Sequence, residues 1–264
     1  MSSLVAVILA AGKGTRMRSK LPKVLHKVGG KAMLQHVIDA ASEAGADEKV
    51  VIIGHEAELV EEMVAGQAKT ALQAEQLGTG QAVLQTKEVL KDFVGTAMIL
   101  CGDTPLLDGA ELKKFYEAHK ESGAAATVMT ALMENPTGYG RIIRDAVGDV
   151  FGIVEQKDAT EEQKDIKEIN TGIYCIECPL MFEVLETITP NNAQGEYYLT
   201  DILDKLYTAG KKVGGVVTAD SDMVMGINSR KQLATAEKVM RDRILDKLMD
   251  SGVTIMDPAS TFIA

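Results

Sequence analysis

Apolar and polar positions follow two different periods in the first half of the chain. Continuous apolar runs such as "LVAVILA" at 4–10 and "KVVIIG" at 49–54 are typical of strands that are buried on both faces. Between them, "MLQHVIDAASEA" at 33–44 repeats its apolar positions with the spacing of one helix face. This alternation predicts a largely parallel sheet with helices on both of its faces.

The same patterns predict elements along the rest of the chain. Further helices are predicted at "AELVEEMVA" (57–65), "AVLQTKEVL" (82–90), "AELKKFYEAHKESG" (110–123) and "EYYLTDILDKLYTAG" (196–210), and further strands at "TAMILCGD" (96–103), "AAATVMTA" (124–131) and "KKVGGVVTA" (211–219). Past Asn135 the strands "GRIIR", "VFGIVEQ" and "NTGIYCI" are shorter and more polar, which indicates a smaller second lobe. From Ser229 to Asp250 the pattern is strongly helical.

Charge is distributed unevenly along the 264 residues. The formal net charge is -10, yet residues 12–31 contain no Asp or Glu and seven basic residues, namely Lys13, Arg16, Arg18, Lys20, Lys23, Lys27 and Lys31. Nucleic-acid binding needs a broad basic surface, so an acidic chain with one basic segment is not a general nucleic-acid binder. The local positive charge indicates a small anionic ligand.

The apolar runs and the cysteines indicate the cellular compartment. No run reaches the length of a membrane span, and "LVAVILAA" lacks the preceding basic residues of a signal peptide. The cysteines, Cys101, Cys175 and Cys178, form no repeated framework, and "CIEC" has no second half-site for zinc, so we interpret it as part of a strand. We therefore expect a cytoplasmic protein with neither a membrane nor a nucleic-acid partner.

A glycine-rich turn follows the first predicted strand, where ligands bind in open α/β sheets. Gly12 and Gly14 would let the backbone approach phosphate oxygens closely. The turn is not a dinucleotide-binding fingerprint, because Met17 stands at the third glycine position, and it is not a P-loop. A flexible turn with solvated basic residues remains an alternative.

Asp103 follows the buried run "AMILCG" and would lie at the same edge of the sheet. The alternative is that Asp103 caps the next helix, although Pro105 and Asp108 also offer a start for it. A carboxylate that faces phosphates favours a bound magnesium ion.

Several longer motifs carry a family resemblance that covers nearly the whole chain. They are "LAAGKGTRMRSKLPKVLH", "QAEQLGTGQAV", "CGDTPLL", "NPTGYGRIIR", "IVEQKDAT", "EINTGIY", "NNAQGEYYLTDI" and "GINSR". The chain resembles the sugar-nucleotide pyrophosphorylases, and among them the uridylyltransferase domain of bacterial N-acetylglucosamine-1-phosphate uridylyltransferases. The first motif is shared by many nucleotidyltransferases, whereas "NPTGYGRI" and "NAQGEYYLTD" together are far more specific.

The resemblance implies a Rossmann-like nucleotidyltransferase fold: a mostly parallel mixed sheet, helices on both faces and a smaller sugar-binding lobe. It also implies a magnesium-dependent transfer of UMP from UTP to N-acetylglucosamine 1-phosphate, which releases pyrophosphate and forms UDP-N-acetylglucosamine for cell-wall polymers. No covalent enzyme intermediate is needed, so catalysis rests on positioning and charge neutralisation.

Site residues follow from the same resemblance. It places the nucleotide against Leu9, Ala10, Ala11 and Gly12, with its phosphates against Arg16 and Lys23 and its uracil edge against Gln73, Gly78 and Thr79. It places the sugar against Gly140, Glu155 and Asn170, with Thr200 as a weaker candidate. Magnesium would be held by Asp103 and Asn228. Arg16, Lys23 and Asp103 would be catalytic, and Asn228 would also bind substrate. From the residues alone, Asn170 could equally be a turn residue and Asn228 the cap of the last helix.

The resemblance also implies domain boundaries, and alternative functions remain open. It implies a uridylyltransferase domain at 1–228, a helix leading away at 229–250, and at 251–264 the start of a linker to a β-helix acetyltransferase domain that this sequence lacks. We expect a monomer, with a trimer only when that further domain is present. Cys101 departs from the Tyr of some relatives. A transferase that uses CTP or another sugar phosphate, and a non-catalytic nucleotide-sugar sensor, are the alternatives.

Overall fold

A computed structural model describes residues 3–263. The strands are β1 (Ser3–Leu9), β2 (Lys27–Val28), β3 (Lys31–Ala32), β4 (Glu48–Ile53), β5 (Lys69–Leu72), β6 (Gly95–Cys101), β7 (Ala126–Leu132), β8 (Arg141–Arg144), β9 (Val150–Val154), β10 (Glu168–Cys178) and β11 (Val213–Val217). The helices are α1 (Met33–Glu43), α2 (Ala57–Val64), α3 (Thr79–Leu84), α4 (Gly109–Ser122), α5 (Glu161–Lys164), α6 (Leu180–Leu185), α7 (Asp201–Thr208) and α8 (Arg230–Asp250).

The main sheet has the strand order β11-β7-β10-β6-β1-β4-β5. Strand β1 pairs in parallel with β4 and β6, and β4 pairs in parallel with β5. Only the pairs that involve β10 run antiparallel within this order, where β10 lies between β6 and β7. The predicted mostly parallel mixed sheet is confirmed, and the carboxyl ends of β1, β4 and β6 meet at one edge.

Helices cover both faces of this sheet, as the apolar pattern predicts. On one face, α1, α2 and α4 contribute Leu34, Val60 and Phe115 to a core that includes Ile8 of β1. On the other face, α3, α6 and α7 pack against a core that includes Val7 of β1. Adjacent residues of β1 are therefore buried on opposite faces, which explains why its sequence is continuously apolar.

The smaller lobe grows out of the main sheet through β10. Strand β8 pairs with β10 at Arg141 and Ile169, and it also pairs with β9. The long strand β10 changes register between Asn170 and Tyr174, and beyond this bulge it pairs with β6 in the main sheet. One strand thus connects the lobe rigidly to the centre of the sheet.

Two element predictions need correction, and one strand of the main sheet was not predicted. The helix expected at 82–90 is α3, which begins at Thr79 and ends at Leu84, and turns follow at 85–92. The helix expected at 196–210 begins only at Asp201, because the backbone of Tyr197 pairs with Leu77 and Gly80 (2.8 Å each). Strand β5 was not predicted, since "KTAL" is short and half polar.

Helix α8 packs beside the small β2–β3 hairpin. Ala236 of α8 shares a cluster with Val28, Met33, Leu106 and Ile227. Among residues 3–263, no helix combines the length and the apolar character that a membrane span needs.

Candidate active site

A pocket of about 320 Å³ opens at the sheet edge where β1, β4 and β6 end. It is lined by Leu9, Ala10, Ala11, Gly12, Lys23, Val24, Gln73, Gln76, Gly78, Thr79, Ala82, Cys101, Asp103 and Glu196. Nine of the residues expected to contact the nucleotide or its metal thus lie in one cavity, namely Leu9, Ala10, Ala11, Gly12, Lys23, Gln73, Gly78, Thr79 and Asp103. Its size suits a small molecule.

The glycine-rich turn holds Lys23 at the mouth of this pocket. Gly14 has φ 58°, and a Cβ on it would lie only 2.6 Å from Cβ of Lys23. A side chain at Gly14 would therefore push away the residue that carries the ammonium. The space beside Gly12 is open, since a Cβ there would meet nothing within 4 Å.

The Lys23 ammonium joins two distant parts of the chain. It donates hydrogen bonds to Asp103 Oδ2 and to Asn228 Oδ1, the latter at 2.8 Å. The Lys23 and Asp103 side chains are only 14% and 15% exposed, which shields the pair from solvent. Backbone pairing supports the cluster, because Ile227 N donates to Asp103 O at 2.9 Å.

Neither Asp103 nor Asn228 caps a helix. Asp108 caps α4, where its side chain accepts from Glu111 N at 3.0 Å. Ser229 caps α8, where its hydroxyl accepts from Gln232 N at 3.3 Å. The capping alternatives are wrong, and both Asp103 and Asn228 aim an oxygen at one cation.

These two oxygens suit a divalent metal. A carboxylate and a neutral amide oxygen already converge on a positive group, the Lys23 ammonium. Within residues 3–263, no group of three or more His, Cys, Asp or Glu side chains could hold a metal. A cation held by one carboxylate, one amide and substrate phosphates needs no such group.

Another residue of the pocket lining, Gln73, is only 4% exposed. Its Nε2 donates to Gly78 O (3.1 Å) and to Gln81 Oε1 (2.6 Å). The backbone of Gly78 has φ 123°, and a Cβ there would lie 2.5 Å from Tyr197 O. Only glycine fits this turn, which explains its place in the "QLGTGQ" motif.

The residues expected to contact the sugar gather in the smaller lobe, beside this pocket. Asn170 N donates to Gly140 O at 2.9 Å, and a Cβ on Gly140 would lie 3.4 Å from both carboxylate oxygens of Glu155. The Asn170 side chain also has a structural role: its Oδ1 accepts from Gly172 N (2.9 Å) and Tyr174 Oη (2.8 Å) across the bulge of β10.

Electrostatics connect this lobe to the cluster of Asp103, Lys23 and Asn228. Burial raises the pKa of Tyr139, and the negative charge of Asp103 raises it further, so the loop before β8 lies near Asp103. Burial and then Asp103 raise the pKa of the Cys101 thiol to about 12, so it stays protonated in the pocket wall. Cys101 Sγ donates to Gly172 O at 3.7 Å, another contact between the two regions.

Glu155 lies among other acids. Its pKa is raised by burial first and then by Asp158, while Asp201 and Glu196 raise it further. The Thr200 hydroxyl lies beside this carboxylate and opposes the rise in pKa, although it forms no hydrogen bond of good geometry within the described residues. A buried acceptor and a buried hydroxyl side by side, with bonding capacity left, are suited to a polyhydroxylated ligand.

Arg16 is separate from both groups. It is exposed on the Thr15–Met17 turn and does not line the pocket. Sequence reasoning missed Gln76 and Glu196, which line the pocket, and Gln81, which accepts from Gln73. All three lie inside quoted motifs, but nothing in their spacing shows that they lie at this site.

Comparisons with known proteins agree with this geometry. The family model "Nucleotidyl transferase" matches residues 5–223. The proteins named Bifunctional protein GlmU from Pelotomaculum thermopropionicum and Enterococcus faecalis are 53% and 50% identical over 260 and 263 residues, which is 98% and 100% of this chain. The chain spans 57% of the length of each of these relatives.

A solved structure has the same fold. The crystal structure of a UDP-glucose pyrophosphorylase complexed with UDP-glucose superposes with a TM-score of 0.73, covering 92% of this chain and 100% of that one. At 18% identity the likeness concerns the fold alone, and it confirms the expected nucleotidyltransferase fold.

Proposed function

The chain belongs to the nucleotidyl transferase family, and from that premise we propose that it transfers UMP from UTP to N-acetylglucosamine 1-phosphate, forming UDP-N-acetylglucosamine and pyrophosphate. One observation carries the proposal. Three features adjoin one another, as the motifs imply: the pocket at the strand ends, the cluster of Asp103, Lys23 and Asn228, and the smaller lobe that contains Glu155.

The pocket residues divide the nucleotide between them. Gln73, Gly78 and Thr79 bind the uracil, and the backbone from Leu9 to Gly12 lies along the nucleoside. Lys23, with Arg16 from the exposed turn, neutralises phosphate charge. Charge-assisted hydrogen bonds of this kind each contribute about 1.5–3 kcal/mol.

Asp103 and Asn228 would hold a divalent cation, and we propose Mg²⁺ because their oxygens are hard ligands. When bound, Mg²⁺ would offset the negative charge that shifts toward pyrophosphate. The chain's own task is to keep a carboxylate and an amide oxygen facing one point, which the Asp103–Ile227 backbone bond does.

The sugar phosphate binds against the smaller lobe. Glu155 offers an acceptor, the Asn170 amide nitrogen a donor, and Gly140 a close approach for hydroxyl and acetamido groups. The Thr200 hydroxyl beside Glu155 adds a further polar group. The sugar's phosphate then attacks the α-phosphorus of UTP and pyrophosphate leaves. Holding both reactants side by side supplies much of the rate.

The proposal also includes the compartment of the reaction, the use of its product and its partners. We place it in the cytoplasm, where UTP is available, and its product would serve as a precursor for peptidoglycan and other cell-wall polymers. The substrates are UTP and N-acetylglucosamine 1-phosphate, with no nucleic-acid or membrane partner. The domain boundaries and the monomeric state expected from the sequence remain part of this proposal.

The test is a product assay. The protein is mixed with UTP, N-acetylglucosamine 1-phosphate and Mg²⁺, and pyrophosphate and nucleotide sugar are measured together. Parallel reactions contain CTP, or glucose 1-phosphate, and Asp103→Asn serves as the inactive control. We expect product from UTP with the acetylated sugar. Faster product formation from CTP, or none from any pair with a folded protein, would refute the proposal.

A further inference from the structure

We propose that Gln81 is a positioning residue that makes the base end of the pocket specific for uracil, by fixing which atom of the Gln73 amide faces the ligand. The inference rests on the proposed function, in which Gln73 contacts the base. Gln81 lies on α3 with its side chain half-buried, behind Gln73 and outside the pocket lining.

Within the described residues, only the nitrogen of the Gln73 side-chain amide forms hydrogen bonds. Its Nε2 carries two hydrogens, and both are used: one toward Gly78 O at 3.1 Å, the other toward Gln81 Oε1 at 2.6 Å. No described residue donates to Gln73 Oε1. The Gln73 side-chain oxygen, which is an acceptor, is therefore the amide atom that is available to a ligand in the pocket.

The opposite orientation of this amide would lose both of these hydrogen bonds. Gly78 O is a carbonyl, which can only accept, so turning the amide over would place two acceptors against each other. The carbonyl itself is anchored, because Tyr197 N donates to Leu77 O and Gly80 N donates to Tyr197 O, both at 2.8 Å. Gln81 supplies the second acceptor, which occupies the other N–H.

Uracil and cytosine differ at the position that such an acceptor reads. Uracil presents N3–H, a donor, beside the O4 acceptor, whereas cytosine presents the N3 lone pair beside an amino group. An acceptor fixed in the pocket pairs with uracil and opposes the cytosine lone pair. A buried polar group left without its partner costs about tenfold in affinity, which is enough for specificity.

Without the Gln81 acceptor, one N–H of Gln73 would lose its partner. With Gly78 O as its only remaining partner, the amide could turn and present that N–H to the cytosine N3 atom. Discrimination would fall even though Gln73 itself is unchanged. A loss of discrimination with Gln73 unchanged would show that Gln81 acts by positioning Gln73, not by contacting the base itself.

The experiment compares UTP with CTP in the parent and three variants. Gln81→Leu removes the acceptor at similar size, and Gln81→Glu keeps an acceptor toward Gln73 Nε2. Gln85→Leu is the matched control, since Gln85 lies one turn later on the chain and outside the nucleotide pocket. Dissociation constants for both nucleotides are measured by titration calorimetry, and kcat/KM values by pyrophosphate release. Thermal melting verifies the fold of each variant.

We expect Gln81→Leu to lower the UTP-to-CTP ratio about tenfold, the effect of losing one hydrogen bond. Gln81→Glu and Gln85→Leu should keep the parent's ratio. The added charge of Glu does not disturb this readout, because UTP and CTP carry equal charges. KM for the sugar phosphate should not change in any variant.

A ratio in Gln81→Leu within twofold of the parent, with its melting temperature unchanged, would overturn the inference. A fall of equal size in Gln85→Leu would also overturn it, because the effect would then belong to the helix. A parent that binds UTP but forms no product refutes the proposed function alone, since the binding ratios still decide the role of Gln81. A parent that binds both nucleotides equally refutes the inference.

Discussion

Gly78 combines an unusual backbone conformation with a place in the pocket lining. Its φ of 123° is unfavourable for any side chain, and a Cβ would lie 2.5 Å from Tyr197 O. We expect Gly78→Ala to lower the free energy of unfolding by about 2–3 kcal/mol and to raise KM for UTP. Gly123→Ala is the control: φ is 62° there, but the surrounding space is open, so only about 1 kcal/mol should be lost. Unfolding and steady-state assays would show the difference, and an unchanged KM in Gly78→Ala would contradict the base role.

Arg16 tests whether an exposed residue can be catalytic. It lies outside the pocket lining, yet it belongs to the glycine-rich turn beside Lys23. We expect Arg16→Ala to lower turnover about 100-fold, as the loss of a charge stabiliser in the transition state does. Unfolding free energy should stay constant because the side chain is exposed. Lys20→Ala, an exposed change in the same basic segment, should keep full turnover. Turnover of Arg16→Ala within threefold of the parent would remove Arg16 from the mechanism.

The position of a local motif could be predicted from the sequence, whereas choices that depend on distant partners stayed open. The motif after β1 contains Leu9 to Gly12, so its place at the strand end follows from the sequence. The sequence could not decide whether Asp103 and Asn228 cap helices, because the deciding contact is the distant ammonium of Lys23. Gln81 was missed although Gln73 lies only eight residues away, because spacing does not show that the two side chains face each other.

Among the elements, long apolar runs were predicted best. Strands β1, β4 and β6 were recognised because burial on both faces removes polar residues from their sequences. The helix expected at 82–90 was wrong because local bonds compete with the helical ladder. Thr86 Oγ1 donates to Val83 O at 2.7 Å, and the backbone after Leu84 closes into turns.

The start of α7 shows tertiary structure overriding a helical pattern. "EYYL" has apolar and aromatic residues at suitable positions, but Tyr197 pairs with the loop that precedes α3, and Leu199 N donates to Thr79 Oγ1 at 3.1 Å. These bonds keep the segment beside the base end of the pocket. Periodicity within one segment contains no information about such a partner.

The elements around Glu155 give a prediction for stability against pH. Burial, and then the acids Asp158, Asp201 and Glu196, raise the pKa of Glu155 in the folded protein. Its neutral form therefore stabilises the fold at low pH, and this contribution is lost as pH rises through the folded pKa.

We therefore expect Glu155→Gln to be more stable than the parent at about pH 8, with the advantage shrinking toward about pH 4. Urea unfolding at several pH values measures it, and Glu121→Gln on the exposed face of α4 should show no such trend. An advantage that grows toward acid pH would mean that Glu155 is stabilised as a carboxylate.

At the scale of the whole molecule, sheet topology brings the pocket and the smaller lobe together. The parallel strands β1 and β6 end at the pocket, while the antiparallel strand β10 runs from the main sheet into the smaller lobe. The bulge in β10 places Asn170 beside Gly140, and Cys101 at the end of β6 contacts Gly172 within that bulge. The sequence predicted a second lobe but not this shared strand, since pairing order depends on contacts between distant segments.

The Lys23 cluster joins three such segments, and it leads to a prediction about metal binding by the free protein. Lys23 lies 80 residues from Asp103 and 205 from Asn228, yet its ammonium contacts both. A positive group at that point opposes the approach of a second cation. We therefore expect the free parent to bind Mn²⁺, a probe for Mg²⁺, weakly, and Lys23→Met to bind it at least about tenfold more tightly.

Two further variants decide whether these residues are ligands. Asp103→Asn removes the ionised oxygen and should abolish Mn²⁺ binding in either background, whereas Asn228→Ala removes a neutral oxygen and should weaken it less. In the assay with substrates, both variants should lose most of their turnover and need more Mg²⁺. Mn²⁺ binding is measured directly by electron paramagnetic resonance, so the result does not depend on activity. If Lys23→Met bound Mn²⁺ no better than the parent, or if Asp103→Asn bound it equally well, Asp103 and Asn228 would serve only to hold Lys23 in place.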